Sequence, residues 1–147
     1  MDFESFLIGE GSDFLGRNLQ DIWNFSDVEI EQTHDFVQVV FPLNKPSRAV
    51  SHGFYLDSET LIGQIKNNPE AKKNIIKSAK WFLSFLARNN YWNQKYNHNQ
   101  LRITRAIESL RLLVSNEEAD KFYQSVLELI EEDNRVNLDT LVFWKNA

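Results

Sequence analysis

The residues with most chemistry to offer stand in two segments, His34-Asp35-Phe36-Val37-Gln38-Val39-Val40-Phe41-Pro42 and His98-Asn99-Gln100-Leu101-Arg102-Ile103-Thr104-Arg105. Each sets a small polar cluster into a strongly apolar stretch. Asp35 can take the planar fork of Arg102 or Arg105 in bidentate fashion, and His34 and Gln38 can add directional hydrogen bonds. Three uses fit such a set. The first is an internal ion-pair network that fixes helix register. The second is a pocket for a polar or anionic ligand such as a peptide carboxylate. The third is a catalytic centre with His34 as general base, held by a carboxylate.

The elements that must position these groups read as helices. Ser26 and Glu29 have capping-box spacing and open a helix from about Asp27 to Phe41, which Pro42 stops. With about 100° per residue, Ile30, Thr33, Phe36, Val37, Val40 and Phe41 share its broad apolar face. Glu31, His34, Asp35 and Gln38 form a strip beside that face, flanked on its far side by Val28 and Val39. The helix from about Asn99 to Val114 repeats the pattern. Ile103, Ala106, Ile107, Leu110, Leu113 and Val114 make its stripe, Arg102, Arg105 and Ser109 a narrow strip, and Leu101 and Leu112 the other flank. A helix apolar almost all round belongs in a core. Its arginines must then be paired or lie along a cleft, because an unpaired buried charge costs several kcal/mol. The two strips are expected to meet.

The remaining chain has few breakers, with 5 Gly and 3 Pro in 147 residues. A short helix is expected within Leu15 to Asn24, and another of about two turns after Asp57 as cap. Asn68-Pro69 is a strong start signal for a helix to about Arg88. Its stripe is Ile75, Ile76, Ala79, Phe82, Leu83 and Leu86, and Lys72, Lys73, Lys77 and Lys80 form its wet side. Ser115 with Glu118 opens a helix to about Glu132, and Asn137 caps a last one through Trp144. Between Asn89 and Gln100, five asparagines with Tyr91, Trp92 and Tyr96 read as a loop. Its aromatic residues either face a ligand or plug the core, so Tyr91, Trp92 and His98 are a candidate rim. The expectation is one all-α domain over residues 1–147, with six or seven helices around a buried central helix at about 99–114.

Composition narrows the functional classes. A net charge of −5 argues against an electrostatic nucleic-acid binder. With no cysteine there is no disulfide framework, thiolate metal site or cysteine nucleophile. Glu31-x-x-His34 has the spacing of half a di-iron site, but Ala49 and Lys95 precede His52 and His98 where the second half needs a glutamate. Neither metal nor cofactor is expected. The start Met1-Asp2-Phe3-Glu4 lacks the pattern of a signal peptide, and no run approaches the ~20 apolar residues of a membrane span. The expectation is a soluble cytoplasmic protein.

The two opening segments also resemble the signatures of a known family. The first is similar to H-D/S-Y-I-Q-W-L-F-P-L followed by a loop with proline and serine, here His34 to Leu43 with Pro46 and Ser47. The second is similar to H-N-x-L-R-I-T-R-I-L-x-S-L, here His98 to Leu110. Both belong to the conserved N-terminal domain of the opioid growth factor receptor family, and weaker likeness runs from about Gly16 to Tyr123. The resemblance implies a compact member of bacterial type and, from the animal members, receptor activity toward an enkephalin-type peptide with association to nuclear membranes. Val39 stands where the family pattern has tryptophan, and Phe36 where it has tyrosine. The function expected is a non-enzymatic binding module for a peptide or protein, carried by His34, Asp35, Gln38, Arg102 and Arg105. The competing expectation is a small hydrolase or transferase with His34 as base.

Overall fold

The computed structural model describes residues 1–147 and is all-helical, with nine α-helices and one 3-10 turn at Asn90–Trp92. Two compact units divide the chain, Met1–Ser78 and Ala79–Ala147, and the division falls inside a single long helix. No helix is long and apolar enough to cross a membrane.

The first unit begins with α1 (Phe3–Leu7), which packs on α5 (Glu59–Lys66). Gly9, at φ +87°, ends α1, and the N–H groups of Glu10 and Gly11 both donate to Ser5 O. A Cβ on Gly11 would run into Ser5 Oγ, so this glycine is needed for close approach rather than for cradling an anion. α2 (Leu19–Trp23) is opened by Asn18 and Asp21, which cap each other's backbone N–H reciprocally. α5 is capped by Ser58, not by Asp57 as the sequence suggested; Ser58 Oγ accepts from Leu61 N at 3.1 Å.

The helix expected from Asp27 to Phe41 is two helices. The Ser26–Glu29 capping box starts α3 (Asp27–Gln32), but Thr33 turns extended at φ −93°, ψ 122°. A separate single turn, α4 (Val37–Val40), follows. The reason lies in the composition of Thr33 to Phe41. Only Gln38 is a strong helix former there; the others are β-branched, aromatic, His or Asp. Burial overrides this weak propensity locally, since every residue from Phe36 to Leu43 is buried. The break also cancels the angular frame drawn over residues 27–41: Val28 is exposed while Val39 and Gln38 are buried.

α6 (Pro69–Arg88) opens as its Asn-Pro signal predicts, with Asn68 Oδ1 accepting from the N–H groups of Glu70 and Ala71. Its first half anchors the first unit. Asn74 Nδ2 donates to Leu7 O at 2.9 Å, Ser78 Oγ accepts from Trp23 Nε1 at 2.9 Å, and Lys77 Nζ lies 4.3 Å from the Trp23 ring centroid.

In the second unit, α7 (His98–Leu113) packs against α8 (Asn116–Leu129), α9 (Leu138–Asn146) and the 3-10 turn. Ile103, Ala106, Ile107, Leu110 and Leu113 are buried, as their stripe predicts. Leu101, expected as a covered flank, is instead exposed. The asparagine-rich loop is a clamp. Asn93 Nδ2 donates to Asp133 O at 2.7 Å, and Asn93 Oδ1 accepts from Arg135 N at 2.9 Å. Gln100, almost fully buried, locks the turn to the helices. Its Nε2 donates to Trp92 O (2.9 Å) and Gln94 O (2.8 Å), and its backbone carbonyl accepts from Trp144 Nε1 (3.1 Å). Replacing Gln100 with Leu leaves two carbonyls without their donor. At about 1–3 kcal/mol for each unsatisfied group, the variant is expected to lose roughly 2–6 kcal/mol in urea unfolding. A loss below about 0.5 kcal/mol would show that the lock is dispensable.

Candidate functional site

Two aspartates of the first unit meet on an arginine that the sequence reading did not single out. Arg17 lies at the end of a tight loop whose Gly16 takes φ +78°. Its Nε donates to Asp13 Oδ2 at 2.8 Å and its Nη1 to Asp35 Oδ1 at 2.9 Å. Asp13 Oδ1 also accepts from the N–H groups of Leu15 and Arg17. The Arg17 guanidinium carbon is 5.7 Å from the Phe14 ring centroid, and Phe14 in turn lies 4.3 Å from His52 and stacks at 5.5 Å on Phe54. Asp35 is thus an ion-pair partner of Arg17, held in the break between α3 and α4. His34 beside it is exposed, and Gln38 is buried in α4. The available signal was Asp13-x-x-Gly16-Arg17, a carboxylate four residues before an arginine across a glycine turn.

Two carboxylates on one guanidinium give a cluster of net charge −1, better suited to tying a loop to a helix break than to gripping an anion. The two contribute unequally. The Asp13 side chain is 0% exposed and Asp35 37%. Breaking the buried pair by Asp13→Ala is expected to cost about 3–5 kcal/mol. Asp35→Ala, half in solvent and screened, should cost no more than about 1 kcal/mol. Denaturant titration of both variants checks the order; an equal or reversed order would refute it.

The predicted arginines lie on α7 in the second unit. Arg102 is buried and its Nη1 donates to Asn99 Oδ1 at 3.2 Å. Desolvation by burial lowers the Arg105 pKa to about 10, against the charge of Glu108 one turn on. Its guanidinium therefore stays protonated at neutral pH. The fold bears a desolvation cost at every pH below about 10, and that cost falls only as the pH rises past that value. His98 is the first residue of α7, after the cap Asn97, and is exposed.

The aromatic rim needs correction. Trp92 is core, not rim: its Nε1 donates to Leu86 O at 2.9 Å and its ring lies 6.3 Å from that of Trp144. An indole with its one donor satisfied is a good core group, so it plugs the unit from within. Tyr96 and His98 do face solvent, and they line a groove of about 610 Å³ between the first turns of α7 and α9. Tyr91 is exposed but does not line that groove.

Leu101, Thr104, Asp139, Thr140 and Phe143 complete its walls, with Asn97, Gln100 and Asn137. Three of the apolar side chains are unusually bare, with Tyr96 65%, Leu101 74% and Phe143 66% exposed. Much of the polar lining is already spent on internal bonds. Asn97 and Asn137 cap α7 and α9, Gln100 holds the loop, and Thr104 Oγ1 donates to Gln100 O at 3.2 Å. What the groove presents is an apolar surface with the Asp139 carboxylate at its edge. No family model, curated protein or solved structure matches this chain.

Proposed function

We propose that this protein is a non-enzymatic docking module that takes an apolar segment of a peptide or protein into the groove between α7 and α9. The observation that carries this reading is the bare apolar lining of that groove, framed by polar groups already bonded within the fold. Its volume lies in the range of ligand sites, roughly 300–1,000 Å³, and contiguous exposed apolar surface marks interaction sites. The resemblance to the opioid growth factor receptor family supports the same direction. Its second signature supplies His98, Leu101 and Thr104 to one wall of the groove. The family's receptor activity toward an opioid peptide is the finer form of this proposal, with a peptide as the docked segment. Asp35 enters it only as the ion-pair partner of Arg17, and no catalytic role is proposed for Asp35 or His34.

A screen of displayed peptides against the whole chain should return binders with one or two Leu, Phe or Trp anchors. Burying an apolar side chain contributes about 1.5–3 kcal/mol. Leu101→Glu or Phe143→Glu should therefore weaken such binders at least about tenfold in fluorescence titration, with helical content and melting temperature almost unchanged. Binders that ignore both substitutions would place docking elsewhere and defeat the reading.

A further inference from the structure

The shape of α9 bears on what fills the groove. Trp144 is its one buried side chain, yet Leu138 and Phe143 stand 74% and 66% exposed and Val142 is also bare. α9 carries apolar residues on more than one side, and the fold buries only the side with Trp144. At about 100° per residue, Leu138 and Val142 form a ridge on the outer side of α9, while Asp139, Thr140 and Phe143 line the groove. The same patch thus carries both a convex and a concave part.

We propose that the groove is filled by a second copy of this chain, the Leu138–Val142 ridge of each protomer seated in the α7–α9 groove of the other. The proposal rests on the docking reading and names its occupant. A two-fold contact must be self-complementary, with one patch meeting itself, and a ridge beside a groove on one face meets that requirement. The size is suitable. Tyr96, Leu101, Leu138, Val142 and Phe143 leave roughly 600 Å² of apolar surface bare, at the upper end for a monomer. With its polar edge, that approaches the ~800 Å² per partner of a standard interface.

Charge points the same way. Residues 79–147 carry nine Lys and Arg against nine Asp and Glu, so the net charge of −5 belongs entirely to residues 1–78, with seven against twelve. The half bearing the groove is neutral, and its nearby charges, Asp139, Lys95 and Lys145, are of both signs. A strongly acidic or basic partner would find no complementary field there, whereas two neutral faces meet without like-charge repulsion.

Sedimentation velocity on the full chain, from about 1 to 500 μM, tests this. The mass should rise from 17.3 kDa toward twice that value. Leu101→Glu, in the groove, and Leu138→Lys, on the ridge, should each raise the dimer dissociation constant at least about tenfold. Both positions are so exposed that folding should be untouched, which circular dichroism verifies. The two variants mixed should associate better than either alone, because the mixed dimer has one native ridge-and-groove contact and one Glu–Lys contact. A groove-binding peptide should dissociate the dimer. A dimer indifferent to both substitutions, or a mixture no better than its components, overturns the proposal. A monomer throughout that still binds peptides through Leu101 removes the second copy as occupant and leaves the docking reading standing. A monomer that binds none removes both.

Discussion

The second unit depends on one buried amide. The Gln100 side chain reaches from the first turn of α7 to two carbonyls of the preceding loop, and the residue's backbone carbonyl receives the Trp144 indole from α9. The Trp144 bond ties the first turn of α7 to the last turn of α9, holding α9 against the helix that forms the groove's other wall. Because the amide is almost fully buried, each bond it makes is one that water cannot replace at low cost. Loop, turn and two helices therefore form a single rigid element.

The first unit answers a different constraint. Its apolar run from Phe36 to Leu43 has poor helix propensity but strong reason to be buried. The outcome is a break after α3, a single turn of α4, and a polar seam where the break occurs. Arg17 closes that seam by spanning Asp13 and Asp35. Here an ion pair does what a continuous helix would otherwise do, holding two segments in fixed register. The Phe14, His52 and Phe54 rings, packed against one another beside the guanidinium, hold down the long loop before α5.

Much of this was legible from residue types alone. Caps written locally, such as Ser26 with Glu29, Asn68 with Pro69, Ser115 and Asn137, appear where their spacing puts them, because each depends on three or four neighbouring residues. The all-helical class followed from the same signals. The break at Thr33 was not legible from periodicity, since angular placement presumes that the helix continues. Low summed propensity over Thr33 to Phe41 was the sign that it does not. Arg17 escaped notice because its partners are 4 and 18 residues away, and the second separation has no sequence signature. Leu101 was mistaken for core because an apolar residue on a helix flank looks the same whether it meets a neighbouring helix or water. For Trp92 the polar, asparagine-rich setting left both outcomes open, and of the two the inward plug is the one the fold adopts.

The tryptophans carry a practical consequence. Trp92 and Trp144 lie side by side, sealed from water, with both indole N–H groups bonded to carbonyls. Trp23 stands in the other unit, partly open, under an ammonium group and bonded to a serine hydroxyl. Their surroundings differ enough that their ultraviolet emission should differ in colour and in accessibility to a dissolved quencher. A fourth tryptophan, Trp81, is half-buried in the second unit; with it replaced by phenylalanine, the remaining three report on the two halves separately, and the order in which these come apart can be followed without attaching a label.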